Sequence, residues 1–354
     1  MKIITRHIHG TIVSAWILVL FIFLGIQCFI AFVSEFGDIG TGNYHLWEAF
    51  HYVLWSMPSF IYGLSSMIGL LGCLLGLGHL ASHSELIVMR VSGVSKLQII
   101  GCVFKVALVF VLFMFFLGEY VGPTALASAK TMKRMDMYGT NVFNTVHGIW
   151  LREEQRYIHI ETLVAGIRLE GITQYQFDDH HQLLSALYAN NATYDKEQWE
   201  FNDVVETHFS PTGVSTDHFD HQIWQTKINP ALFNLSQIDP QEMTLRQLWR
   251  FIAYRKSNGL ETSNYTLELW QRLLQPVAAL ILILLAEPFV FGPLRTVAMG
   301  FRIVIGVGIG FLFYVLNQFF GPLTVVYQIP SIVGAGLPAL LFLVIFIILL
   351  SRAP

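Results

Sequence analysis

Five histidines crowd one stretch of this sequence: His180-His181, His208, His218 and His221. Imidazole is a common zinc ligand, but these spacings match no zinc signature. In alternating segments neighbouring side chains also face opposite ways, so solvent-facing turn histidines are the reading. Glu153-Glu154 and Asp178-Asp179 pair carboxylates as acid–base enzymes do. Both lie in polar loop stretches, where a solvated face is the simpler explanation. The patterns G-x-S-x-G, H-E-x-x-H and the phosphate-binding G-x-x-x-x-G-K-[ST] are all absent, so no hydrolase signature and no P-loop ATPase is present. Cys28, Cys73 and Cys102 lie in apolar runs, and neither a disulfide framework nor a zinc cluster follows. No catalytic residue, metal or cofactor is expected in this chain.

Composition explains why chemistry is scarce. Of 354 residues, 54% are hydrophobic and 13% charged, about half the usual charge of a soluble domain. That excludes disordered, collagenous and ordinary cytosolic proteins and points to a membrane. Residues 11–34 form an apolar run of about 36 Å as a helix, enough for a hydrocarbon core of roughly 30 Å. The run is too long for a signal peptide and lacks a small-residue cleavage site. Further runs lie near 58–81, 99–121, 269–291, 300–320 and 330–350, giving six predicted transmembrane helices. Gly72-x-x-x-Gly76 and Gly306-x-x-x-Gly310 predict close helix packing.

From Gly139 to Pro240 no stretch can span. Short alternating segments run over Arg156–Glu161, Leu183–Tyr194 and Trp199–Phe209, separated by turn signals at 178–181, 195–197 and 211–213. This pattern predicts an all-β sandwich or barrel. Thr244-Leu245-Arg246-Gln247 then reads as a capping box opening a helix that closes near Asn258-Gly259. The fold class is therefore an α-helical polytopic membrane protein with six transmembrane helices and an inserted extracytoplasmic all-β, jellyroll-like domain. Its segments are 1–138 (three spans), 139–240 (β domain), 241–265 (a connecting amphipathic helix) and 266–354 (three spans).

Sorting the charges orients it. With the N-terminus inside, Lys2, Arg6, Arg90, Lys96, Lys105, Arg295, Arg302 and Arg352 lie near the cytoplasmic side with only Glu85 and Glu287. The remaining 13 basic and 22 acidic residues fall outside. Short loops carry this rule, and they agree: both termini are expected inside and the β domain outside. Arg272 follows Glu268 by four residues, which reads as an intrahelical pair.

One loop is sharper. In Gly78–Gly93, Ser84 is placed to cap a short helix whose first turn holds Glu85. Leu86 and Met89, with Val88, supply an apolar face, and Gly93 ends it. Such a helix suits docking into a groove on a partner, or lying on the membrane surface.

Leu77–Gly93 resembles the coupling-helix region of the lipopolysaccharide export permeases. A second block reads Phe291-Gly292-Pro293-Leu294-Arg295, Met299-Gly300-x-Arg302, Gly310-Phe311-x-Phe313-Tyr314, Gln318-x-Phe320-Gly321-Pro322-Leu323 and Val326-Tyr327-x-Ile329-Pro330. That ordered string is similar to the G-type branch of the family, and six spans with a β domain after the third match along nearly the whole chain. The resemblance implies an ABC transporter in which a G-type and an F-type permease subunit form a cavity for lipopolysaccharide. A cytoplasmic ATPase dimer, which holds the ATP and magnesium, would dock on their coupling helices. The lipid would pass by way of the β domain to a bridge begun by a single-span periplasmic subunit.

The resemblance maps a coupling acid onto Glu85, beside Leu86 and Met89. A lipid A cavity should be apolar in the membrane and basic at its outer rim. Lys130, Lys133 and Arg134 follow the third span, and the first two match basic positions of the family; interfacial anchoring by snorkelling is the bland alternative. Phe29, Phe32 and Phe36 are candidates for acyl contact, or for facing lipid. The first span departs from the pattern: family members can carry several basic residues at its outer end, where this sequence has Ala31, Ser34, Glu35 and Asp38. Lys130 and Lys133, or a divalent cation bridging Glu35 and Asp38 to phosphate, would compensate. Rival functions are a permease for another lipid or glycoconjugate and a non-transporting scaffold that recruits periplasmic partners.

Overall fold

The computed structural model describes residues 2–138, 143–153, 155–164, 168–178, 180, 182–195, 198–210, 213–224, 226, 239–291 and 299–352. Glu154, Asp179, His181, Lys196, Glu197, Pro211 and Thr212 lie outside the described residues, as does the block from Gly292 to Ala298. The helices in chain order are α1 (Lys2–Ser34), α2 (Leu46–Gly63), α3 (Ser65–Ser82), α4 (Glu85–Val91), α5 (Lys96–Phe116) and α6 (Gly122–Tyr138). After the β strands come α7 (Leu245–Ser257), α8 (Ser263–Phe291), α9 (Met299–Val326) and α10 (Ser331–Arg352). Among the described residues six helical runs are long and apolar enough to cross a membrane: Ile3–Gly37, Ser65–Ser82, Lys96–Tyr138, Ser263–Phe291, Gly300–Val326 and Ser331–Ser351.

The chain divides into two compact units. One holds Met1–Ile39, Leu46–Lys130 and Ser263–Pro354; the other holds Gly40–His45 and Thr131–Thr262.

The first unit is built around α3, which is apolar on every side and buried almost throughout, as expected for a central helix. Its glycines set the spacing of its neighbours. A Cβ on Gly76 would lie 2.9 Å from the Ile12 Cα, and one on Gly72 would meet Trp16, so α1 packs directly on this ridge. Trp16 donates its indole N–H to the Gly69 carbonyl at 2.9 Å and stacks on Phe110 of α5. On another side Gly306 and Gly310 of α9 meet Leu71, Leu74 and Met67. Both glycine pairs thus serve packing. Gly76→Leu is expected to destabilise the unit by about 1–3 kcal/mol through overpacking. The check is the thermal midpoint in detergent; an unchanged midpoint would mean that α1 can move off α3 at no cost.

Two span boundaries depart from the hydropathy reading. The apolar run 58–81 is not one helix: α2 ends at Gly63, Leu64 leaves the helical region (φ −93, ψ 1), and the span is α3. Pro58 sits inside α2, so the residue with the strongest breaking chemistry is not where the chain breaks. The third span is longer than its apolar run, passing through a π-helical turn at Leu117–Val121 into α6. Pro123 supplies no N–H to the ladder just beyond that turn, a usual companion of such irregularities.

In the second unit, β1 (Phe143–Glu153), β2 (Arg156–Val164), β3 (Arg168–Phe177), β4 (Leu183–Asp195), β5 (Gln198–Ser210) and β6 (Gly213–Trp224) form one antiparallel sheet. The described strands pair in sequence order. Ile158, Ile160, Leu169, Ile172, Leu187, Trp199, Phe201, Val204 and Trp224 make the core, with Tyr254 of α7 packed against it. Phe201 stacks on Trp224 at 5.0 Å. Gly171, at φ 64, sits where a Cβ would run into the Glu161 carboxylate, and the β2–β3 pairing skips a residue there. The Thr244 capping box forms as read from the sequence: its hydroxyl accepts from the Gln247 N–H, and the Gln247 side chain accepts from the Thr244 N–H.

His208 and His221 have ordinary side-chain partners, and the turn at His180 is closed through its backbone. Asp178 Oδ1 accepts from the backbone N–H of His180 and of Gln182. His221 bonds Asn202 at 2.7 Å, and His208 lies near Glu206 and Asp217. Among the described residues no group of three His, Cys, Asp or Glu is arranged to hold a metal.

Candidate functional site

The loop between α3 and α5 is organised from both ends. At its start the Arg302 guanidinium, buried at 1% exposure, donates to the Gly78 carbonyl and, at 3.0 Å, to the Ser82 hydroxyl. This ties the beginning of α9 to the last turn of α3. At its end Gly93 takes a positive φ of 91, and its N–H and that of Val94 close back onto Arg90 and Met89. Ser95 and Gln98 then form a reciprocal capping box that opens α5.

Within this frame α4 is seven residues long. Ser84 precedes it at φ 60, and its side chain makes no capping bond. The sequence expectation of a Ser84 cap is corrected here: the sharp reversal out of α3 takes Ser84 into the left-handed region, whereas a capping residue needs an extended backbone. Glu85 does sit in the first turn. Its Oε2 lies 2.6 Å from His7 Nε2 of α1, a partner 78 residues away.

Leu86 and Met89 also need correction. They are 3% and 9% exposed and join the core with α3 and α5, so they anchor α4 rather than present it. The apolar face of an amphipathic helix declares that it will be covered, not by what. Here the chain's own helices cover it. The side left outward carries Ile87, Val88 and Val91 at 41%, 62% and 84% exposure. A groove of about 330 Å³ lies beside it, between Leu86, Ile87, Arg90 and Val91 and the end of α8 at Val290 and Phe291.

The second set of expected residues is spread more widely. Phe29 and Phe36 are exposed at 70% and 55%. Phe32 is half-buried against Ala31, Val53 and Met57 and meets Phe36 edge to face at 5.5 Å. Lys130, Lys133 and Arg134 lie three and four residues apart on α6, hence on one helix face. Lys133 Nζ sits 5.5 Å above the ring of the buried Tyr44, and the Asn43 N–H donates to the Asp136 carbonyl at 2.8 Å. Glu35 is buried at 6% exposure, so it offers no open carboxylate to a bridging cation; a Glu35–Asp38 cation site is not supported. The Arg272–Glu268 pair forms as expected at 2.8 Å.

A family model described as the lipopolysaccharide export system permease LptF/LptG matches residues 6–352. The chain belongs to this permease family. It is 35% identical over 353 residues to the lipopolysaccharide export system permease protein LptG of Escherichia coli strain K12, covering 99% of this chain and 98% of that one. It is 33% identical over 349 residues to the protein of the same name from Haemophilus influenzae, covering 98% of each.

For a permease, two residues that sequence reading missed now stand out. In the sequence Arg302 reads as a cytoplasmic-side charge and as part of the family-like string; its burial is signalled only by its place beside a long apolar run. His7 gave no signal at all, because its partner is remote in sequence.

Proposed function

We propose that this chain is the G-type permease subunit through which lipopolysaccharide is extracted from a bacterial inner membrane, powered by ATP hydrolysed in a partner chain. The observation that carries the reading is the 35% identity sustained over 99% of the chain, with six candidate spans and an inserted antiparallel sheet arranged as that family requires. The work of such a subunit is mechanical. Its chemistry is recognition of phosphates and acyl chains, and transmission of motion.

In this reading the termini and α4 face the cytoplasm and the β sheet faces the periplasm, in keeping with the basic residues clustered in the short loops. Glu85 faces a cytoplasmic ATPase dimer, with the outward residues Ile87, Val88 and Val91 beside it. An F-type permease subunit completes the cavity, and a single-span periplasmic subunit receives the lipid. Lys130, Lys133 and Arg134 meet the lipid A phosphates, while Phe29 and Phe36 meet acyl chains. Nucleotide and magnesium belong to the ATPase.

The test is co-purification of the tagged full-length chain from its native membrane in mild detergent. An ATPase dimer and a second six-span subunit are expected with it at fixed stoichiometry. Recovery as an isolated homodimer without an ATPase would overturn the reading.

A further inference from the structure

We infer that His7 is a positioning residue for Glu85 and that, through this pair, α1 is coupled directly to the helix that meets the ATPase. The inference rests on the reading that Glu85 faces that ATPase. His7 Nε2 and Glu85 Oε2 are 2.6 Å apart, at the short end of charge-assisted hydrogen bonds. Both side chains are partly exposed, 52% and 35%, so the pair adds little to stability and its value is geometric. It fixes the direction of a carboxylate on the first residue of a seven-residue helix. The contact engages one oxygen and leaves Oε1 for an incoming donor.

The arrangement has the parts of a two-state link. Leu86 and Met89 root α4 in the core of its own unit, so it follows α3 and α5. Glu85 reaches across to α1 through His7. When a partner's cation competes for the carboxylate, the tie to α1 is weakened or re-aimed; when the partner leaves, it re-forms. α1 is one uninterrupted helix from Lys2 to Ser34, and His7 lies about 33 Å along it from Phe29. It packs on α3 with Trp16 and Ile12 seated on the glycines at 72 and 76, and Trp16 bonds the Gly69 carbonyl. A displacement at His7 is therefore carried along one continuous helix as far as this ridge. This gives nucleotide-driven motion a route into the first span besides the one through α3 and α5. Such a route needs an element whose two arrangements both sites bias, and the Glu85 carboxylate is that element.

The experiment uses the complete transporter in proteoliposomes and reads lipopolysaccharide released per ATP hydrolysed. His7→Phe keeps a ring and removes the donor, and is expected to lower that ratio about fivefold or more. His7→Gln, whose amide nitrogen has a similar reach, is expected to restore it. In a Glu85→Ala background His7→Phe should add no further loss, because the two act as one unit. A wild-type ratio in His7→Phe, or a loss that multiplies with that of Glu85→Ala, would overturn the inference. Amide hydrogen exchange of residues 87–91 in the purified chain alone supplies a readout that needs no ATPase. Exchange there should quicken several-fold in His7→Phe and recover in His7→Gln; unchanged exchange counts against the link. A chain that binds no ATPase sinks the functional reading and leaves this second measurement standing.

Discussion

Glu85→Lys is expected to cut lipopolysaccharide release from reconstituted proteoliposomes by about two orders of magnitude, with loss of substrate-stimulated ATP hydrolysis. Close interfacial charge pairs carry about 1.5–7 kcal/mol of coupling, and each 1.4 kcal/mol is tenfold. The substitution removes the acceptor that His7 engages at 2.6 Å and places an ammonium where a partner's cation is expected. Fold damage is a weak explanation for such a loss, because Glu85 is a partly exposed residue and the residues that root α4 are Leu86 and Met89. Glu85→Gln keeps the shape and an acceptor oxygen but not the charge, and should lose less than Glu85→Lys. Full release by the lysine variant would remove Glu85 from the coupling path.

The second large effect is expected from Lys130→Glu combined with Lys133→Glu. A hydrogen bond to a charged group contributes about 1.5–3 kcal/mol. Both lysines are half-buried rather than enclosed, so the lower end applies, about tenfold for each and 10²-fold for the pair. The measurement is the yield of lipopolysaccharide photocrosslinked to the purified complex. Lys133 carries a further marker, since its ammonium lies over the Tyr44 ring. Tyr44→Leu should weaken crosslinking less than the charge reversal does. An undiminished yield from the reversed protein would show that these lysines only anchor α6 at the interface.

Features encoded by neighbouring residues were legible in the sequence. The Thr244–Gln247 capping box, the Arg272–Glu268 pair and the close packing at Gly72/Gly76 and Gly306/Gly310 all need only local spacing, and all are present. The six spans and the alternating strands follow from hydrophobic period alone. Features decided by distant contacts were not legible. Leu86 and Met89 looked like a docking face, and only the presence of α3 and α5 beside them makes them anchors. The Ser84 cap failed because the reversal out of α3 sets its backbone. The Leu64 break escaped notice inside a run of unbroken hydropathy that also holds the tail of α2. His7 and Arg302 find their partners 78 and more than 200 residues away.

The burial of α3 has a consequence for how the protein is made. This is the shortest and least apolar of the six spans, 18 residues at a mean hydropathy of 1.5. Its packing partners α8 and α9 start at Ser263 and Met299, beyond the whole β sheet. At a synthesis rate of roughly 5–20 residues per second, on the order of 10–40 s elapse between its emergence and the arrival of α8. Through that interval the helix that ends as the hub has only first-half elements to pack on, and the Gly78 carbonyl lacks the Arg302 guanidinium. Its glycines leave little side chain to misplace during the wait. Biogenesis is then a late event, completed when the second half of the chain closes over a span that the first half had only begun to enclose.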